Sequence, residues 1–318
     1  MRFLVGLLAI IVSLGCKQKP PEVGRQSPPA QAVIPDSATT DSTPATKKIL
    51  MPAPPPKSIP PMPTSAPVPI SADLQMIAEY AFGQDSLRLD FVGEEKYRPG
   101  KYKYLAFSGY GSSVWLDTVE VDIKNDSISS FYSDGSMGTV ISMAITPYHL
   151  ACFRATAGLE AGAVKTWYLN KAWSDTRAEP PEWVRLSDST RHKTLDLPEL
   201  GTTEFFVTFE SDPDTTEDGE LDLSKPFHWN MKIGSDPASV FPSVSEPWVD
   251  PSYSSADEAV LWIGDLDRDG KPDVLMSPVL GPGKGGRLYQ LFLSRSLVVG
   301  EEWKAAAEFS YYPPTMGD

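Results

Sequence analysis

From about residue 100 onward, apolar and polar side chains alternate in short runs broken by turn formers, the period-2 pattern of half-buried strands. Strands are predicted at Lys101–Ser108, Ser113–Ile123, Ile128–Tyr132 and Thr139–Ile145, with turn signals at Gly109, Asn125-Asp126 and Asp134-Gly135. The pattern continues at Gly162–Tyr168, Trp183–Leu186, Glu204–Glu210, Trp229–Ile233, Ala259–Ile263 and Tyr289–Leu293. Ahead of them, Asp73–Ala81 is expected to form a short opening helix capped by Asp73. The fold class that follows is mainly β, a β-sandwich-like or mixed β-sheet arrangement. About 245 residues from Ala72 to the end are enough for one large domain or two smaller ones. Prolines 237, 242, 247 and 251 make 234–258 a long loop, and a boundary near 212–225 would divide a β-rich domain at 72–212 from a C-terminal β-rich region at 213–318.

The amino terminus has a different pattern. A basic Met1-Arg2 precedes an almost unbroken apolar run, Phe3–Leu14, about a dozen residues and short of the roughly 20 needed to cross a bilayer as a helix, so it reads as an export signal. It closes on Ser13-Leu14-Gly15-Cys16, which resembles the lipobox of bacterial lipoproteins. That resemblance implies cleavage before Cys16, acylation of its thiol and a lipid anchor in a membrane, with Lys17 favouring the outer membrane; an ordinary secreted protein is the alternative. Residues 17–71 contain fifteen prolines and few large apolar side chains, which predicts a disordered, extended tether. A recruitment motif for a proline-binding domain is the other reading of that stretch.

Composition narrows the functional classes. A net charge of −14 and a pI near 4.7 oppose binding to nucleic acid. Gly281-Pro-Gly283-Lys284-Gly-Gly286 lacks the order of a phosphate loop, and Pro282 removes an amide, so no nucleotide is expected. Gly109-Tyr-Gly111 precedes a strand and reads as a turn rather than a nucleophile elbow. With Cys16 assigned to lipid, Cys152 is the one remaining thiol and is expected to be a buried spectator. His149, His192 and His228 have no zinc-type spacing. Glu120, Asp122, Asp196, Glu204 and Glu210 are read as solvent-face residues of strands. Trp167, Tyr168, Trp173, Trp183 and Trp229 are read mainly as core, with a glycan-stacking face as the alternative.

The densest chemistry lies at Asp265-Leu-Asp267-Arg-Asp269-Gly270-Lys-Pro-Asp273, between the apolar runs Ala259–Ile263 and Val274–Met276. Carboxylates at alternate positions converge on a hard cation if the chain curls, Gly270 permits the turn, and the Lys271 carbonyl can add an oxygen. Met276 stands where an EF-hand has its bidentate glutamate, and the flanks are too short for helices, so a strand–loop–strand element is expected. The segment VLWIGDLDRDGKPDVLM resembles the Asp-x-Asp-x-Asp-Gly-x-x-Asp elements of FG-GAP and VCBS-type repeats. The resemblance implies one structural calcium ion held by Asp265, Asp267, Asp269 and Asp273. A single copy does not make a propeller. Magnesium, which demands near-octahedral geometry, suits such a loop less well. Asp214-Thr-Thr216-Glu-Asp218-Gly219-Glu-Leu-Asp222 is a degenerate second copy, read either as a solvated turn or as a weak cation site. Together these features predict a surface-anchored, calcium-stabilised lipoprotein with a binding or envelope-structural role and a protein or polysaccharide ligand. The alternative is a surface glycan hydrolase in which the calcium loop is accessory.

Overall fold

The structure, a computed structural model, describes residues 56–66, 69–70, 74–78, 86–91, 97–130, 133–144, 146, 149–170, 191–209, 226–242, 256–280 and 287–311. The strands are β1 (Met76–Ala78), β2 (Ser86–Phe91), β3 (Gly100–Tyr110), β4 (Ser113–Ser130), β5 (Ser133–Ala144), β6 (His149–Arg154) and β7 (Gly162–Leu169). They continue as β8 (His192–Leu197), β9 (Gly201–Phe209), β10 (Phe227–Ile233), β11 (Ser239–Val240), β12 (Val260–Asp265), β13 (Asp273–Leu280), β14 (Arg287–Phe292) and β15 (Ala307–Tyr311). Among the described residues, an α-helical turn, α1 (Ala256–Ala259), leads into β12, and a 3-10 turn spans Ser294–Ser296 after β14. The protein is mainly β, as its alternating pattern predicts.

Eleven strands form one sheet, with the path β1-β6-β3-β4-β7-β12-β13-β14-β15 and the pair β5, β2 branching from β4. β4 makes the branch possible through its length of 18 residues. Near its start, Val114–Leu116 pairs with β7, whereas Val121–Ser130 pairs with β5. The sheet curls until its outer strands meet, and the Leu74 amide beside β1 donates to the Ala306 carbonyl beside β15 at 3.1 Å. Inside the curl, Phe107 meets Phe153 and Trp262 edge-on at 6.0 and 5.1 Å, with Tyr104, Tyr289 and Phe309 around them in one buried cluster.

A second sheet, β11-β10-β9-β8, alternates along β9 and along most of β10, where Asn230 is also buried. Phe205 and Val207 on β9 and Phe227, Trp229 and Met231 on β10 are buried, while their neighbours Glu204, Phe206, Thr208, His228 and Lys232 are more open to solvent. The buried side chains join Val260, Ile263, Val274, Met276, Phe292 and Trp303 in a second core. Strands β12–β14 therefore contribute to both cores: Val274 and Met276 enter one, and Leu275 enters the other. A strand covered on both faces reads as a continuous apolar run, which is why Ala259–Ile263 and Val274–Met276 lack alternation.

Several expectations change, among them the turn at Asp134-Gly135, which lies inside β5 with Asp134 facing Ser129. Within the predicted helix Asp73–Ala81, residues Met76–Ala78 form β1 instead, pairing Met76 with Phe153 and burying all three side chains. Burial against β6 outweighs helix propensity in so short a segment. The Asn125-Asp126 turn is absent: Asn125 faces Thr139 and Asp126 faces Gly138 in the β4–β5 ladder. The end of the segment predicted as a disordered tether to residue 71 meets the fold at Pro61 and at Ile70. Pro61 offers its carbonyl to the Ala163 amide at 3.1 Å, and Ile70 is 4% exposed. Proline lacks a donor but keeps its acceptor, so such a segment can still lie against a strand edge.

The boundary expected near 212–225 falls in residues outside those described. β7 and β12, which flank it in sequence, pair directly in one sheet. The signal segment with Cys16, the tether up to residue 55, Trp173, Trp183–Leu186, Glu210 and the 281–286 loop also lie outside the described residues. Among the described residues no helix is long and apolar enough to cross a membrane.

Candidate metal centre

The acidic loop is the hairpin connection between β12 and β13, closed where Gly264 faces Asp273. β12 there runs tight against β7: a Cβ on Gly264 would lie 2.4 Å from the Lys165 carbonyl oxygen and 2.1 Å from the Trp262 ring. The chain reverses through Arg268 (φ 61°) and Gly270 (φ 84°), both in the left-handed region. Three carboxylates brace this reversal from inside. Asp265 Oδ2 accepts from the Gly270 amide at 3.0 Å, Asp267 Oδ1 from Asp269 at 3.3 Å, and Asp269 Oδ1 from Lys271 at 2.8 Å.

Asp265, Asp267 and Asp269 each present a carboxylate oxygen within 4.8 Å of the others'. Asp273 is engaged differently, as the first residue of β13. Its Oδ2 accepts from the amides of Leu266 (2.7 Å) and Asp267 (3.3 Å), and its Oδ1 accepts from Ser294 (2.7 Å). It pins the loop to the segment after β14 and stands outside the three-carboxylate cluster. Lys271 is exposed, with its amide on Asp269. Ser294, which no sequence motif marks, donates its hydroxyl to Asp269 Oδ2 at 2.9 Å.

The electrostatics are unfavourable for bare carboxylates. Asp265 and Asp267 are 7% and 4% exposed. Burial pushes both above the usual carboxylate range, and the charge of Asp269 adds to the rise. Asp273 is raised well above that range, first by burial and then by Asp267. Asp265 Oδ1 is buried with no hydrogen-bond partner. A buried, unpaired carboxylate oxygen is costly and requires an explanation. A metal ion would satisfy it, and hard oxygen donors at this spacing are the donor set such ions take. The three aspartates can therefore hold a metal ion.

The arginine of the loop turns away from the carboxylates toward residues 65 and 160. Arg268 Nη1 donates to the Ser65 carbonyl and hydroxyl oxygens at 3.0 and 3.2 Å and lies 3.6 Å from Glu160 Oε2. Arg295 Nε lies 3.7 Å from Asp267 Oδ2, and its Nη2 donates to the Ile70 carbonyl. Beside the loop is a cavity of about 550 Å³, bordered by Lys271, Pro272 and Ser294 and otherwise largely apolar, with Met231, Leu297 and Trp303.

The remaining residues take structural places. Cys152 is fully buried with its thiol pushed up to about 12 by desolvation. Trp229 is core, and Trp167 and Tyr168 are half-buried beneath Lys165 and Lys193. Glu120 pairs with Lys101 at 3.0 Å, Asp122 with Lys124 at 2.7 Å, and Asp196 accepts from Thr202 at 3.1 Å. His149 is buried beside Thr146, His228 lies 3.1 Å from the Phe241 carbonyl, and His192 packs near Phe206. The degenerate repeat at 214–222 lies outside the described residues. No family model, curated protein or solved structure matches this chain.

Proposed function

We propose that the protein is a lipid-anchored envelope protein whose β fold is stabilised by one calcium ion at Asp265, Asp267 and Asp269, and that its role is binding or architecture rather than catalysis. The observation that carries the cation is the buried, unpartnered Asp265 Oδ1 within a cluster of three converging carboxylates. Calcium is the preferred ion because it accepts irregular oxygen sets and bidentate carboxylates, whereas magnesium insists on a near-octahedral shell with several waters. The ion would offset charges that burial disfavours and would tie β12 to β13. Binding only the native state, it would stabilise the fold by about 2.7 kcal/mol at a hundredfold excess over its dissociation constant.

The anchor rests on the apolar export segment and the Cys16 lipobox. Membrane attachment, most readily at an outer membrane, and an envelope protein or polysaccharide as ligand belong to the same reading.

Calorimetric titration of calcium into the full chain, purified in detergent and stripped with chelator, tests the ion. Saturation near one ion per chain with a raised melting temperature is expected, and Asp265→Asn and Asp267→Asn are expected to lose both. Absence of heat up to about 10 mM calcium, beyond the weakest extracellular sites, would reduce the loop to an acidic turn. Metabolic labelling with a fatty acid tests the anchor: the wild type should incorporate label and Cys16→Ser should not.

A further inference from the structure

The acidic loop and the proline-rich segment are joined by the same two arginines. Arg268 stands between two of the clustered aspartates and grips Ser65 and Glu160, while the Ser65 hydroxyl itself donates to Glu160. Arg295 spans Asp267 and the Ile70 carbonyl. A third contact comes from the start of β7, where the Ala163 amide takes the Pro61 carbonyl. Gly162 makes that approach possible: a Cβ there would lie 2.6 Å from both the Pro61 oxygen and the Pro63 Cδ. Most side chains of residues 56–66 are exposed, so this short list of polar contacts, together with buried Ile70, holds the segment in place.

We propose that Gly162, Ala163, Glu160, Arg268 and Arg295 form a binding surface for an extended proline-rich segment, filled here by the chain's own residues 61–66 and 69–70, and that the cation strengthens this docking. The inference rests on the cation reading of the aspartate cluster. Without an ion the three carboxylates repel one another across the turn that sets Arg268 at φ 61°, which weakens the hold of its guanidinium on Ser65. With an ion bound, the turn is held firmly while Arg295 keeps both contacts, Nε toward Asp267 and Nη2 on the Ile70 carbonyl. Linkage makes the effect mutual: whatever factor the ion adds to docking, docking adds to ion affinity. A released segment of about ten residues at about 3.1 Å each would lengthen the tether by roughly 30 Å. Ion concentration would thus set the reach of the folded part from its anchor.

The test uses the full chain in detergent, with Cys16→Ser so that nitroxide labels attach only at introduced cysteines, Met62→Cys and Thr118→Cys; Cys152 is buried. Pulsed electron resonance should give one narrow distance in calcium and a broad, longer distribution in chelator. Two variants spare the carboxylates. Arg268→Gln and Gly162→Ala should stay broad in calcium and bind the ion at least about fivefold more weakly, at the low end of ordinary coupling factors. Arg268→Gln adds no bulk to its largely enclosed site and keeps the test decisive if Gly162→Ala fails to fold. Calcium binding with a narrow distance retained in chelator, or in Arg268→Gln, would overturn the latch and leave the cation reading intact. Failure of the wild type to bind calcium would remove the cation reading, and the latch with it.

Discussion

Spacing alone makes Asp265, Asp267, Asp269 and Asp273 look equivalent, whereas burial and backbone amides divide them. Asp273 accepts three amide hydrogen bonds and Asp265 keeps one buried oxygen empty. The two should therefore respond oppositely to neutralisation in chelator. Asp265→Asn removes a charge that burial penalises, and the melting temperature of the ion-free protein is expected to hold or rise. Asp273→Asn turns an acceptor into a donor facing backbone amides, and a loss of about 1–3 kcal/mol is expected with or without calcium. Denaturant melts of both variants in chelator check this pair. Cys152 gives a pH-dependent counterpart. Because its thiol is raised in the folded state, the unfolded chain releases that proton first, so this group lowers stability as pH rises above about 9 and contributes nothing below. Native protein should resist thiol reagents at pH 8 and react only as it unfolds.

Strands bounded by turn formers and rich in aromatic and β-branched residues were legible in the sequence. The predicted runs at Lys101–Ser108, Gly162–Tyr168 and Trp229–Ile233 all lie within observed strands. What alternation did not reveal follows from burial on both faces and from long-range partners. β6, with its first five residues buried, gave only an apolar reading around Cys152, and β4 passed through an Asn-Asp turn signal because β5 supplied a full ladder. At the candidate site the carboxylate spacing was legible, but Ser294, Arg295 and Ser65 were not, since each meets the loop from a distant part of the chain. Gly264 marks where β12 and β7 come closest, beside a register shift in their pairing. Gly264→Ala has no room without backbone movement and should cost about 1–3 kcal/mol by overpacking. The carboxylates stay in place, so the calcium-induced rise in melting temperature should survive in the variant. Thermal melts with and without calcium separate the two effects.

Across the described part of the chain, the two cores share β12–β14, whose alternate side chains point into one and then the other. Losing either core strips one face of the same three strands, and the loop that would hold the ion joins two of them. This coupling favours a single cooperative transition for the folded part over two independent ones, although the sequence suggested a boundary near 212–225. Trp262 lies in the first core and Trp229 in the second, so each can be replaced by Phe to leave a different tryptophan set reporting. Denaturant curves from fluorescence of Trp262→Phe, fluorescence of Trp229→Phe and far-ultraviolet dichroism should each be single, with dichroism and fluorescence midpoints coinciding within each variant. Calcium should move both signals together, because an ion that tightens the β12–β13 hairpin stabilises strands common to both cores. A second transition insensitive to calcium would instead mean that the β8–β11 sheet unfolds on its own, with Trp229 leaving the second core while β12–β14 remain folded.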